Sequence, residues 1–146
     1  MKERIRLLCR TLRQGSSAVT AIVTGCRGAT PRSPGALLVL TAETALGTVG
    51  GGQAEHDIIG PAMEMLRGGA PVQQGWHQCL SAQELRHMGQ EFGGEEEILL
   101  LRWEPGDLPL AEAAWTAAGQ NGDCSLRIEY DENGWRGALL PVAETA

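Results

Sequence analysis

Ala18-Val19-Thr20-Ala21-Ile22-Val23-Thr24, then Cys26-Arg27-Gly28-Ala29-Thr30-Pro31-Arg32-Ser33-Pro34, then Ala36-Leu37-Leu38-Val39-Leu40-Thr41 is the stretch on which the fold turns. Its first and last runs are short, apolar and rich in β-branched residues, which predicts two buried strands. Gly28, Pro31 and Pro34 cannot sit in a regular ladder, so the middle run is a loop. Downstream, 46–49 reads as a short third strand entering Gly50-Gly51-Gly52. Residues 55–66 follow with Ile58, Ile59, Ala62, Met63 and Leu66 at helical spacing. Pro61 predicts either a kink or a regular helix that starts near it, and Gly68-Gly69 ends the segment.

Outward from this core the pattern continues in both directions. Residues 2–14 form a helix with Ile5, Leu8, Cys9 and Leu12 on one stripe. Residues 72–77 read as a strand. Ser81-Ala82-Gln83-Glu84 is a capping box that starts a short helix, and Phe92-Gly93-Gly94 is a second glycine turn. Residues 98–101 form a strand, and 109–118 form a helix with Leu110, Ala114 and Ala117 inward. Leu126, Ile128 and Tyr130 alternate with Arg127 and Glu129, and Asn133-Gly134 turns the chain into 135–140, a hairpin. The expected fold is α+β, or α/β. It is one domain over residues 1–146, a mixed β-sheet flanked by helices with a C-terminal β-hairpin.

The chain has 146 residues, 42% hydrophobic and 21% charged, enough for one domain with a real core. Its 20 glycines cluster in short segments, as backbone-built loops do. A net charge of −6 argues against a nucleic-acid partner. No apolar run approaches the ~20 residues of a membrane span. The first residues lack the apolar region of a secretory signal. Cys9, Cys26, Cys79 and Cys124 show no Cys-x-x-Cys pairing. They read as reduced thiols of a cytoplasmic protein, with zinc disfavoured.

Two segments carry chemistry. Loop 28–36 is stiffened by two prolines and presents Arg32, a forked donor suited to a phosphate or a planar polar ring. The plainer reading, favoured by the loop alone, is a rigid connection with Arg32 salt-bridged at the surface. Segment 47–55 runs a strand into glycines that open a helix, so backbone N–H groups can face an anion. It is neither a P-loop nor a dinucleotide fingerprint, since Glu55 stands where the third glycine belongs. A tight turn with Glu55 as a first-turn acid explains it equally well. Cys26 is the thiol nearest these loops; its plainer role is a small buried side chain at a strand end. His56, His77 and His87 share no metal spacing and read as structural. Alternation splits Glu95, Glu96 and Glu97 across two faces, which reads as a solvated edge. No nucleophile or acid–base constellation assembles, so catalysis is not expected.

Taken together, Gly28-Ala29-Thr30-Pro31-Arg32-Ser33-Pro34-Gly35-Ala36 and Gly47-Thr48-Val49-Gly50-Gly51-Gly52-Gln53-Ala54-Glu55 resemble the N-terminal domain of the XdhC/CoxI family. That family's pattern is Gly-Ser-x-Pro-Arg-x-x-Gly-Ala, a strand, then Gly-x-x-Gly-Gly-Gly-Cys-x-Glu and a helix. A later Cys-Gly-Gly and Glu-Pro correspond to Phe92-Gly93-Gly94 and Glu104-Pro105. The resemblance covers about residues 5–105. It implies an accessory protein that binds molybdenum cofactor (molybdopterin), protects it, helps its sulfuration and hands it to a xanthine dehydrogenase-type molybdenum hydroxylase. Arg32, Gly35, Gly50, Gly51, Gly52, Gln53 and Glu55 would be the binding residues. Gln53 and Phe92 stand where the family has cysteines, leaving Cys26 as the candidate metal contact. The family's C-terminal Rossmann-like domain has no room in 146 residues. A separate Rossmann-domain chain or a homo-oligomer would then cover the vacated surface. The competing reading is an interaction module that has lost ligand chemistry and docks on such a partner or on the molybdoenzyme.

Overall fold

A computed structural model describes residues 2–28, 35–49, 52–78, 94–119 and 124–141. In chain order the elements are α1 (Lys2–Arg13), β1 (Ala18–Arg27), β2 (Leu37–Leu40), β3 (Ala45–Gly47), α2 (Gly52–Leu66), β4 (Val72–Gln78) and β5 (Glu95–Trp103). A 3-10 turn (Pro105–Asp107), α3 (Leu108–Gly119), β6 (Cys124–Asp131) and β7 (Gly134–Pro141) complete them. The first five strands form one sheet in the order β3-β2-β1-β5-β4, and β6 and β7 form a separate hairpin.

Every ladder is antiparallel, so the fold is α+β and the sheet is antiparallel where a mixed one was expected. The physical reason is the route of the chain. Loop 28–36 and the turn after β2 reverse direction between neighbours. The one helical crossover, α2, leaves from β3 at one edge and returns to β4 at the other. Strands joined through a helix would pair in parallel only as neighbours, and here three strands separate them.

Period-two alternation gives the sheet two apolar faces. Val19, Ala21 and Val23 of β1, Leu38 and Leu40 of β2, and Ile98 and Leu100 of β5 meet Ala54, Ile58, Ala62 and Met65 of α2. On the other face Ala18, Val39, Leu99, Leu101 and Trp103 meet Ile5, Leu8, Cys9 and Leu12 of α1 and Ala111 of α3. On β1, Thr20 is buried too and Ile22 is half-buried, so the run 18–23 is continuous rather than alternating. Thr20, the polar member, is 2% exposed and accepts a hydrogen bond from the Trp103 indole N–H at 2.9 Å.

α2 begins at Gly52, well before Pro61, and runs through it to Leu66. Arg102 fastens its other end, donating from Nη1 to the carbonyls of Met65 (3.2 Å) and Gly69 (2.7 Å). In the hairpin, Asp131 faces Gly134 across the turn. The Asp131 carboxylate accepts from the N–H groups of Asn133 (2.8 Å) and Gly134 (3.2 Å), so the tip is Glu132-Asn133 closed by an Asx turn. Trp135 docks the hairpin, donating to Arg102 O at 2.9 Å and meeting Trp103 edge-on at 4.7 Å. The expected short helix at 81–84 and the turn at Phe92-Gly93 lie outside the described residues.

Candidate functional site

Strand directions decide which loops meet. β1 and β3 end, and β2 and β5 begin, at one end of the sheet; β4 ends there and α2 starts there. Loop 28–36, segment 48–52 and segment 79–94 therefore all emerge together. Their described flanks are neighbours: Leu38 pairs with Gly47, and Cys26 and Ala36 pack against the cluster that holds Val49 and Ala54. Arg32, Gly50 and Gly51 lie outside the described residues, and so does the Arg32–Gly51 separation. Gly52 and Gln53 are the first residues of α2.

Glu55 sits in the first turn of α2. Its carboxylate reaches back to accept from the Val49 N–H at 3.1 Å and from the Thr48 hydroxyl. Val49 is fully buried. The side chain thus braces the turn between β3 and α2, and the first-turn-acid reading acquires a specific partner. Gly35 closes the other loop. Its N–H donates to Val23 O at 2.7 Å, and Val23 donates to Ala36 O at 3.0 Å. Gly35 has φ +99°, which glycine adopts without steric cost. Gly47 has φ +103°, and a Cβ there would fall 2.4 Å from Leu37 O.

At the same end of the sheet, running from β1 across β5 to β4, lies a row that the sequence reading missed. The β1–β5 register shifts between Val23 and Gly25, which places Cys26 opposite Glu96, and Glu96 is opposite His77 on its other side. All three point to the α2 face. Glu96 is 0% exposed. This corrects the solvated-edge expectation: Glu95 and Glu97 face the other way, where Glu95 pairs with Arg27 at 3.2 Å and Glu97 accepts from the Thr24 hydroxyl at 3.0 Å. Counting back by twos from Leu100 and Ile98 lands on Glu96, so the signal was present in the periodicity. His77 Nδ1 lies 4.0 Å from Asp57 on α2. Burial holds the His77 pKa below its usual value and favours the neutral ring, with the Asp57 charge opposing.

The described thiols divide between faces. Cys9 is buried beneath α1, where burial raises its pKa. Cys26 is half-buried at the loop end. Among the described residues no three His, Cys, Asp or Glu side chains are placed to share a metal ion. The arrangement offers the N-terminus of α2 for an anion, an imidazole and a carboxylate for hydrogen bonding, and one thiol. Across the sheet, a separate cavity of about 710 Å³ is lined chiefly by apolar side chains of α1, α3, the sheet and the hairpin, with Tyr130 and Gln74 among its polar lining.

An antiparallel sheet sandwiched by helices, with α2 starting at the end of the sheet where β1 and β3 finish, defines an α+β architecture. Residues 11–75 match the sequence model of the XdhC and CoxI family. This runs from the end of α1 into β4, so the resemblance read from the two motifs is shown for that segment. The fold resembles the crystal structure of a xanthine dehydrogenase from Bacillus halodurans, with a TM-score of 0.62 and 21% sequence identity. The match covers 94% of this chain and 42% of that one. The chain thus spans less than half the length of that protein. No curated protein sequence matches the chain. No described helix is long and apolar enough to cross a membrane.

Proposed function

We propose that this protein is an accessory factor of a xanthine dehydrogenase system that binds molybdenum cofactor and passes it to the apo-hydroxylase. The match of residues 11–75 to the XdhC and CoxI family supports the accessory role. The observation that supports the cofactor reading is that the described flanks of both glycine segments lie at the same end of the sheet as the α2 N-terminus and the Cys26–Glu96–His77 row. The cofactor has a phosphate, a planar pterin and a soft metal–dithiolene end. Gly50, Gly51 and Gly52 with the α2 N-terminus suit the phosphate, and Arg32 suits the phosphate or the pterin edge. Glu55 ties the start of α2 back to Thr48 and Val49. At the metal end the fit is thin: Gln53 offers an amide and Cys26 is the nearest described thiol, so the chain would hold the metal with few soft ligands. Sulfuration would then need a partner.

The test is titration of purified protein with molybdopterin. Arg32→Ala should weaken binding roughly ten- to a hundred-fold, the cost of a charge-assisted pair. Equal binding by wild type and variant would remove the site. A second reading, an interaction module without ligand chemistry, is favoured by Gln53 at the family's cysteine position and by the apolar cavity on the α1 face. It predicts capture of an apo-hydroxylase or a Rossmann-domain chain with no measurable molybdopterin binding.

A further inference from the structure

The strands of a sheet's edges carry unused backbone donors and acceptors, and natural edges are kept from pairing by shortness, charge, proline or a bulge. β3, one edge of the sheet, is three residues long. The hairpin strands carry Arg127, Glu129, Asp131, Arg136 and Pro141. β4, the other edge, has none of these devices. Its seven residues, Val72-Gln73-Gln74-Gly75-Trp76-His77-Gln78, contain no charged side chain and no proline, and its ladder to β5 runs without a register shift. Among the described residues no strand lies on its outer side.

The backbone orientation of β4 follows from one hydrogen bond. Arg102 N–H donates to Pro71 O at 3.0 Å, one step beyond the Val72–Leu101 pair. Bonded and non-bonded pairs alternate in an antiparallel ladder. Gln73, Gly75 and His77 therefore turn their N–H and C=O groups toward β5. Val72, Gln74, Trp76 and Gln78 turn theirs outward.

We propose that β4 pairs with β4 of a second copy of this chain, antiparallel about a two-fold axis at Gly75, to make one continuous ten-stranded sheet. This register sets Gln74 against Trp76 of the partner subunit and Val72 against Gln78 of the partner subunit. Every outward N–H then meets an outward carbonyl. Shifting the register by two residues moves the axis to Gln74 or Trp76 and leaves Gln78 or Val72 of each strand unmatched, so the Gly75 register uses all of the outward groups. Gly75 meets its own counterpart at the axis. The side chains agree. Trp76 is 38% and Tyr130 is 43% exposed, and the Tyr130 hydroxyl bonds to the Gln74 side chain. Each Trp76 would land opposite Gln74 and beside Tyr130 of the other copy, covering two of the large exposed aromatics. On the opposite face His77 would stand across from Gln73 of the partner subunit, so the second copy would border the Cys26–Glu96–His77 row.

A seven-residue strand pair with four aromatics buries less than the ~1,600 Å² of a standard interface, so the dimer should dissociate in roughly the micromolar range. The inference does not depend on the proposed function. Sedimentation velocity from about 1 to about 500 µM should show the mass rising from 15.5 kDa toward twice that value. Gln74→Pro removes one outward donor and leaves the β5 ladder intact, since proline is tolerated on an edge strand where the N–H faces outward. It should shift dissociation by about tenfold or more. Circular dichroism and a urea midpoint would confirm that the variant folds. Hydrogen exchange on the unaltered protein gives an answer independent of that variant. With rising concentration the Val72, Gln74, Trp76 and Gln78 amides should slow about tenfold or more, while Gln73, Gly75 and His77 stay protected throughout. A monomer at every concentration, or a dimer whose outward β4 amides exchange unchanged, would overturn the proposal.

Discussion

Glu55→Ala separates the two roles that an acid beside a glycine turn can play. The carboxylate accepts from the Val49 N–H at 3.1 Å and from the Thr48 hydroxyl. Hydrogen bonds to a charged acceptor contribute about 1.5–3 kcal/mol each, and the two share one acceptor, Glu55 Oε1, so they will not add in full. Val49 is completely buried, and an orphaned N–H there costs about 1–3 kcal/mol. The interaction with the helix dipole adds some 0.3–1 kcal/mol. The expected loss is about 2–4 kcal/mol for alanine. For Glu55→Gln, which keeps an acceptor oxygen, it is about 1 kcal/mol. Urea unfolding followed by circular dichroism reads this directly. With a slope near ~2 kcal/mol per molar, the alanine variant's midpoint should fall by about 1–2 M at unchanged slope. A loss below about 0.5 kcal/mol, or equal losses for alanine and glutamine, would refute the bracing role. Unchanged stability with abolished molybdopterin binding would make Glu55 a ligand group instead.

Gly47→Ala should cost more than Gly15→Ala. Both positions have positive φ, but only at Gly47 would a Cβ meet backbone, Leu37 O at 2.4 Å. Strain alone is about 1–3 kcal/mol, and the excess at Gly47 in urea midpoints measures the clash. Thr20→Val should orphan the buried Trp103 indole N–H; a loss of about 1–3 kcal/mol would lower the melting temperature by several degrees, read by calorimetry. His77 has its pKa lowered from 6.5 by burial. The unfolded chain therefore takes up a proton first. The contribution is fully present above about pH 6.5 and is lost as pH falls below it. Urea midpoints measured between pH 7.5 and 5 should fall with pH, and His77→Gln should flatten that slope; an unchanged slope in the variant would assign it to other groups.

The strands that form the core were legible because burial on both faces demands continuous apolar runs, and 18–24 and 36–41 have them. The hairpin was legible from alternation and turn residues. The strand directions bring the described flanks of both glycine segments to one end of the sheet, while Arg32, Gly50 and Gly51 lie outside the described residues. Three features were not legible. The pairing of β1 with β5 joins distant segments, and no local pattern names a distant partner. Glu96 read as surface because three consecutive acids look solvated, although its parity placed it with Ile98 and Leu100. Its alignment with Cys26 also needed the irregularity between Val23 and Gly25, which moves the β1 end by one position relative to β5. Glu55 was visible as a first-turn acid, but its reach back to Val49 depends on the shape of the turn.

The central place of β1 sets an order on how the chain can acquire its structure. β1 has β2 nearby in sequence, but the pairs across its other side join residues 68 (Arg27 and Glu95) to 85 (Ala18 and Trp103) positions apart. Residues 11–75, the family-matching segment, hold β1 to β3 and α2 yet stop before β5. During synthesis that segment would emerge with the apolar flank of its middle strand uncovered, and α2 would have only part of a floor to settle on. Non-local pairing of this kind slows folding and leaves a sticky intermediate. Pairing with β5 closes the longest-range contacts of the sheet, so the segment that matches the family model depends for half of its middle strand's partners on a strand outside it.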